Sequence, residues 1–180
     1  MGICASKNNN KNNNKNNNKN EYIESRSYDV SCSIDLSKIN PETIPSCPWI
    51  GQRIPVYIYD VHDSNTFNFL LEEAGCIFNM SIRLTDVDAP EISRCSEEEK
   101  RAGNITKEYI KSVIQGKYVE MEAKCWDKYG GRVVADIYLA DIPEENLGEH
   151  LLNNGYVRSY DGGEKKFWTS DELTSGVFSV

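Results

Sequence analysis

From Ile54 onward the apolar residues fall on every second position. "IPVYIYDV" alternates and is rich in β-formers, which predicts a strand, and "NTFNFLLEE" predicts a second after the turn "HDS". "CIFNMSIRLTDV" predicts a third. The period then changes. "SEEEKRAGNITKEYIKSVIQG" sets Ala102, Ile105, Tyr109, Ile110 and Val113 on one helical face, with Ser96 and Glu99 at capping-box spacing and Gly116 at the end. "KYVEMEAKCW" and "RVVADIYLA" predict two more strands joined by "DKYGG". "ENLGEHLLNNG" reads as a short helix stopped at Gly155, and "EKKFWTSDEL" as a last helical turn. Three strands, a helix, two strands and a helix is the order of an α+β, mainly β fold: a five-stranded OB-fold barrel with two to three helices.

The alternation does not reach the N-terminal part. Residues 21–51 form an irregular lead-in, with three prolines and a glycine in "INPETIPSCPWIGQ"; Ile44 and Trp49 are expected to pack onto the domain. Residues 1–20 end in "KNNNKNNNKNNNKN", which has no apolar face and is poor in helix formers, so a disordered tether is expected. This leaves a domain over 52–170 and a tail over 171–180.

Charge sharpens that division. The chain carries a net −8, and residues 1–20 hold four lysines and no acid, so the other 160 residues carry −12, the total less +4. Such a domain does not attract polyanions by bulk electrostatics, and any nucleic-acid role needs a local basic site or a metal. The tether begins "MGICAS", which fits N-myristoylation of Gly2, with Cys4 beside it as a palmitoylation candidate. One acyl chain binds a membrane only marginally; Gly2, Cys4 and the spaced lysines together predict attachment at a cytoplasmic membrane face. No apolar run is long enough to span a bilayer, and the N-terminus lacks a secretory apolar core. The six cysteines form no C-x-x-C pair and meet only two histidines, so reduced thiols are expected rather than a zinc site or disulfide framework.

Chemistry concentrates in "RLTDVDAPE", residues 83–91, where one arginine and three acids crowd a strand end around a proline. With "DSNTF" after the first strand and "DKYGGR" between the last two, this stretch resembles the staphylococcal nuclease (thermonuclease-like) family, in matching order and over about residues 52–170. "LLNNGYVRSY" is similar to the family's last helix and the tail beyond it. The resemblance implies a nuclease that hydrolyses phosphodiesters of DNA or RNA with one Ca²⁺, acting as a monomer. It implies Asp88 and the carbonyl of Ala89 as calcium ligands, with Asp63 and Asn65 completing the metal set. Glu91 would hold the attacking water. Arg83 and Arg132 would clamp the scissile phosphate, and Lys128, Tyr129 and Tyr160 would contact the nucleotide.

Three departures bear on that picture. Asn65 stands where the family pattern D-G-D-T has its second aspartate; its carbonyl brings no charge, which predicts a weaker calcium site. Ser64 replaces the glycine and implies different turn torsions. "DKYGGR" has one glycine more than "DKYGR", and Gly130 with Gly131 either forms a bulge that keeps Arg132 aimed inward or displaces it. Taken singly, each residue also has an ordinary role: Asp88 capping a turn, Glu91 a surface acid, Arg83 a structural partner of Asp88. Two functions therefore stand side by side, a membrane-tethered Ca²⁺-dependent nuclease and an anchored binding module without catalysis. In a third reading the N-terminus is the main function and the domain its cargo.

Overall fold

Side-chain alternation closes a barrel. In the computed structural model, which describes residues 3–4, 35–128, 130–139 and 142–179, five strands carry it: β1 (Arg53–Val61), β2 (Thr66–Glu73), β3 (Cys76–Leu84), β4 (Lys117–Trp126) and β5 (Arg132–Leu139). β1–β2, β2–β3, β1–β4 and β4–β5 pair antiparallel, and β3 closes the barrel by pairing parallel with β5 through Ser81↔Arg132 to Leu84↔Ala135. Each strand turns its apolar set inward: Val56 and Ile58, Phe67 and Phe69, Ile82 and Leu84, Val119 and Met121, Val133 and Ile137 are buried. Ala123 faces Ala135 across β4 and β5, a small pair within that core.

The long helix α1 (Glu97–Ile114) follows its expected limits. Ser96 Oγ accepts from Glu99 N, but the Glu99 carboxylate does not return to Ser96; it accepts from Glu91 N at 3.1 Å. Half the capping box is thus diverted to the 88–91 loop. The buried face holds Ala102, Gly103, Thr106, Ile110 and Ile114, whereas Ile105, Tyr109 and Val113 are half-buried. The helix α2 (Leu147–Asn153) has a complete capping box from Asn146 and Glu149. The helix α3 (Ser170–Thr174) and Phe178 join Ala102 of α1 in a second apolar cluster, so residues beyond 170 are packed.

The chain divides into two compact units, Met1–Cys4 with Ser46–Val180, and Ala5–Pro45. In the second, the described residues form two short 3₁₀ turns, Leu36–Lys38 and Pro41–Thr43, the latter capped by Asn40. Trp49 is buried in the barrel unit as expected, at 5% exposure. Ile44, in the second unit, is 58% exposed. Of residues 1–20 only the two-residue strand Ile3–Cys4 is described; it pairs antiparallel with Cys76–Ile77 of β3. Gly2 lies outside the described residues, as does the rest of the tether. Among the described residues no helix is long and apolar enough to cross a membrane.

Candidate functional site

Three segments converge at one end of the barrel. The β1–β2 turn is built by Asp63, whose Oδ1 accepts from Asn65 N at 3.0 Å. Asn65 O in turn accepts from Leu84 N at 2.9 Å, tying the turn to the end of β3. Ser64 is buried, and its hydroxyl lies 3.2 Å from Pro90 O and 3.0 Å from Gly103 O, shared between the two carbonyls. Ser64 is absent from the positive-φ residues, so the turn works without the glycine of the family pattern. Its hydroxyl pins the 88–91 loop to α1.

The loop comes so close to α1 because of Gly103. A Cβ there would meet the carbonyl oxygens of Pro90 and Glu91 at 2.7 Å. Backbone therefore packs on backbone, and Cys95 Sγ adds a contact to Glu91 O at 3.2 Å. The loop carrying Asp88, Ala89 and Glu91 is held from two sides.

Asp88 is 3% exposed and pairs in a short ladder with Arg158, between Val87–Asp88 and Arg158–Ser159. Its Oδ2 accepts from Arg158 Nε at 2.9 Å and lies 2.8 Å from Arg158 Nη2. Its Oδ1 lies 3.1 Å from Lys165 Nζ, which donates to Glu91 Oε1 at 2.8 Å. Lys165 thus bridges Asp88 and Glu91. Burial acts to lower the lysine's pKa, but hydrogen bonds to Glu91 and Asp88 outweigh it and hold the pKa above the usual value. Arg158 also lies over the Trp168 ring at 4.2 Å and reaches Glu172 Oε1 at 3.4 Å and the carbonyls of Lys166 and Phe167. Asp88 is therefore in a structural ion pair, but with Arg158 and Lys165 rather than Arg83.

Arg83 is half-buried and makes no side-chain hydrogen bond or ion pair among the described residues. It shares the outward face of β3 with Ser81, whose register partner is Arg132 on β5. The extra glycine is absorbed in the hairpin: Gly130 and Gly131 have φ of 68° and 107°, and Asp127 N bonds Arg132 O at 2.9 Å to close the loop. The register shift in this hairpin falls instead at Ala123/Cys125. Arg132 stays first in β5, with Nε donating to Asp127 Oδ2 at 2.7 Å. The second oxygen, Asp127 Oδ1, is buried and has no partner among the described residues.

Tyr160 and Asp88 line one cavity of about 480 Å³ together with Arg158 and Lys166. Tyr160 is half-buried, and its hydroxyl donates to Gly163 O at 2.7 Å. Lys128 is exposed at the hairpin tip, and Tyr129 lies outside the described residues. Sequence reasoning assigned no role to Arg158 or Lys165. The stretch "YVRSY" contained Arg158, but nothing local joins it to an acid 70 positions earlier.

The residues do not fit a calcium ion as they stand. Calcium takes six to eight oxygens, several of them charged. Here both oxygens of Asp88 face cations, Glu91 Oε1 faces Lys165, and Asn65 Oδ1 accepts from Thr66 Oγ1 at 3.2 Å. Among the described residues no group of three or more His, Cys, Asp or Glu side chains is placed to hold a metal. What the site does offer an anion is Arg83, with Arg132 on the neighbouring strand.

Residues 81–176 match the family model described as staphylococcal nuclease homologue. No curated protein matches the chain.

Proposed function

The chain belongs to the staphylococcal nuclease family, and on that premise we propose that its barrel binds a strand of DNA or RNA without cutting it while Lys165 is seated on Asp88 and Glu91. The domain is nuclease-like in its fold and in the segments it brings together. Arg83 and Arg132 receive the phosphates, with planar donor forks suited to phosphate oxygens. The Tyr160 ring, in the cavity with Asp88, would offer a stacking face. A local basic site of this kind is what an acidic domain needs in order to hold a polyanion.

The observation that carries the reading is the bridge from Lys165 Nζ to Asp88 Oδ1 and Glu91 Oε1, at 3.1 and 2.8 Å. Family members are generally Ca²⁺-dependent. Here a tethered ammonium supplies positive charge at the two carboxylates the resemblance assigned to metal and water. Exposure of Glu91, 52% at its side chain, favours a second reading in which the bridge opens and hydrolysis with Ca²⁺ follows. Gly2 and Cys4, acylated, would keep the domain at a membrane face.

The test is binding and cleavage of single-stranded and duplex DNA and of RNA by the full chain, with Ca²⁺ or chelator. Binding that Arg83→Ala weakens, with no cleavage, supports the conclusion. Ca²⁺-dependent cleavage by the unaltered chain, lost in Glu91→Gln, would establish the second reading instead.

A further inference from the structure

β3 is covered unevenly along the side away from β2. β5 pairs with it only from Ser81 onward, and Ile3–Cys4 covers Cys76 and Ile77. Between them, from Phe78 to Met80, no strand lies on that side among the described residues. A groove of about 900 Å³ opens there, with Trp49, Phe78, Met80 and Trp126 as its apolar wall and Asn68, Glu73, Asn79 and Ser81 as a polar edge.

The apolar wall is three aromatic rings and a thioether. Trp49 meets Phe78 and Trp126 edge to face, with ring centroids 6.3 and 6.1 Å apart. Both indole N–H groups are spent within the protein, Trp49 Nε1 on Glu73 Oε2 at 2.8 Å and Trp126 Nε1 on Ser46 O at 3.0 Å. At the rim, the Tyr59 hydroxyl donates to Asn79 Oδ1 at 2.9 Å. An aliphatic chain laid along that wall needs no hydrogen-bond partner.

The chain delivers such an occupant. Cys4 pairs with Cys76 and Ile3 with Ile77, so the antiparallel register leads from Ile3 toward Phe78 as the N-terminus is approached. The next residue is Gly2, the acceptor position of "MGICAS". We propose that the acyl chain on Gly2 is housed in this groove, against Trp49, Phe78, Met80 and Trp126. This rests on the acylated-tether reading above. The chemistry is ordinary: hydrolysis removes Met1, and the freed amine of Gly2 attacks the carbonyl of a fatty acyl thioester. The amide C–N bond forms, the C–S bond breaks, and the thiol leaves with the amine's proton. The acyl chain is then shared between groove and bilayer. If it is docked nine-tenths of the time, vesicle affinity falls about tenfold below that of a free chain.

The full chain, produced with and without acylation at Gly2 and checked by intact mass, tests this. With ¹³C-labelled myristate as the acyl group, NMR should show acyl resonances in contact with the ring protons of Trp49, Trp126 and Phe78. Met80→Glu should expel the acyl chain and raise binding to neutral phosphatidylcholine vesicles about tenfold, with no such rise in Gly2→Ala. An acylated chain whose label meets no aromatic ring overturns the groove and leaves the tether standing. A chain that takes no acyl group at Gly2 overturns both. The NMR experiment needs no variant, so misfolding of Met80→Glu does not protect the proposal.

Discussion

Lys165 Nζ lies 3.1 Å from Asp88 Oδ1, although the two residues are 77 positions apart and only Asp88 belongs to the stretch that marks the site in the sequence. The ammonium faces the carboxylate that the family resemblance would give to a metal. Lys165→Met keeps much of the side-chain volume and removes the charge. We expect Ca²⁺ affinity, measured by calorimetry on the full chain, to rise at least about tenfold, since the freed Asp88 and Glu91 oxygens suit a hard cation. Unchanged affinity would show that Lys165 is not what keeps the ion out.

Arg158 is the larger structural partner of Asp88, with two nitrogens on one oxygen. Arg158→Ala leaves a carboxylate that is 3% exposed with Lys165 as its remaining cation. Breaking a buried pair costs about 3–5 kcal/mol, and the surviving lysine places this variant near the low end. Urea unfolding measures it; a loss below about 1 kcal/mol, the range of a surface pair, would contradict the assignment.

Phosphate binding assigned to Arg83 and Arg132 has its own signature. Each arginine replaced by alanine should weaken DNA binding across sequences and lower the salt-dependence slope by about 1. Titrations at several salt concentrations decide this. A slope that stays constant in Arg83→Ala would remove Arg83 from the interface.

Gly103→Ala tests the close approach of α1 to the loop. The added Cβ would sit 2.7 Å from two backbone oxygens, which cannot yield as a flexible side chain does. We expect a loss of about 1–3 kcal/mol and shifts in the amide resonances of Ala89 and Glu91. Ser64→Ala should move the same resonances at a smaller cost of about 1 kcal/mol. A melting temperature unchanged in Gly103→Ala would mean that helix and loop pack loosely.

Acid should loosen α3 before the barrel. The backbone N–H of Thr169 and then its hydroxyl, bonded to the Glu172 carboxylate, hold its pKa below the usual glutamate range. A depressed carboxylate contributes stability above its unfolded pKa, about 4.3, and that stability is lost as pH falls through the folded value. Because Glu172 also meets Arg158 at 3.4 Å, the loss reaches the Asp88 cluster. Hydrogen-exchange protection at Leu173, corrected for the intrinsic rate, should fall below about pH 4.3 while Ile82 stays protected, and an equal loss at both would contradict this order.

Local periodicity was enough to set the five strands and α1, because alternation and a 3.6-residue repeat are carried by neighbours in sequence. The same holds for the Ser96 cap of α1 and the turn at Asp63, each of which closes within a few residues. "RLTDVDAPE" and "DKYGGR" could likewise be seen as stretches of unusual composition. Tertiary structure decided what those residues touch. The parallel register of β3 and β5 puts Arg132 beside Ser81, two positions from Arg83, across 51 residues of chain. The partners of Asp88, the spending of half a capping box on Glu91, and the need for glycine at 103 depend on packing between distant segments. Such contacts come from barrel closure and helix docking, which no window of neighbouring residues encodes.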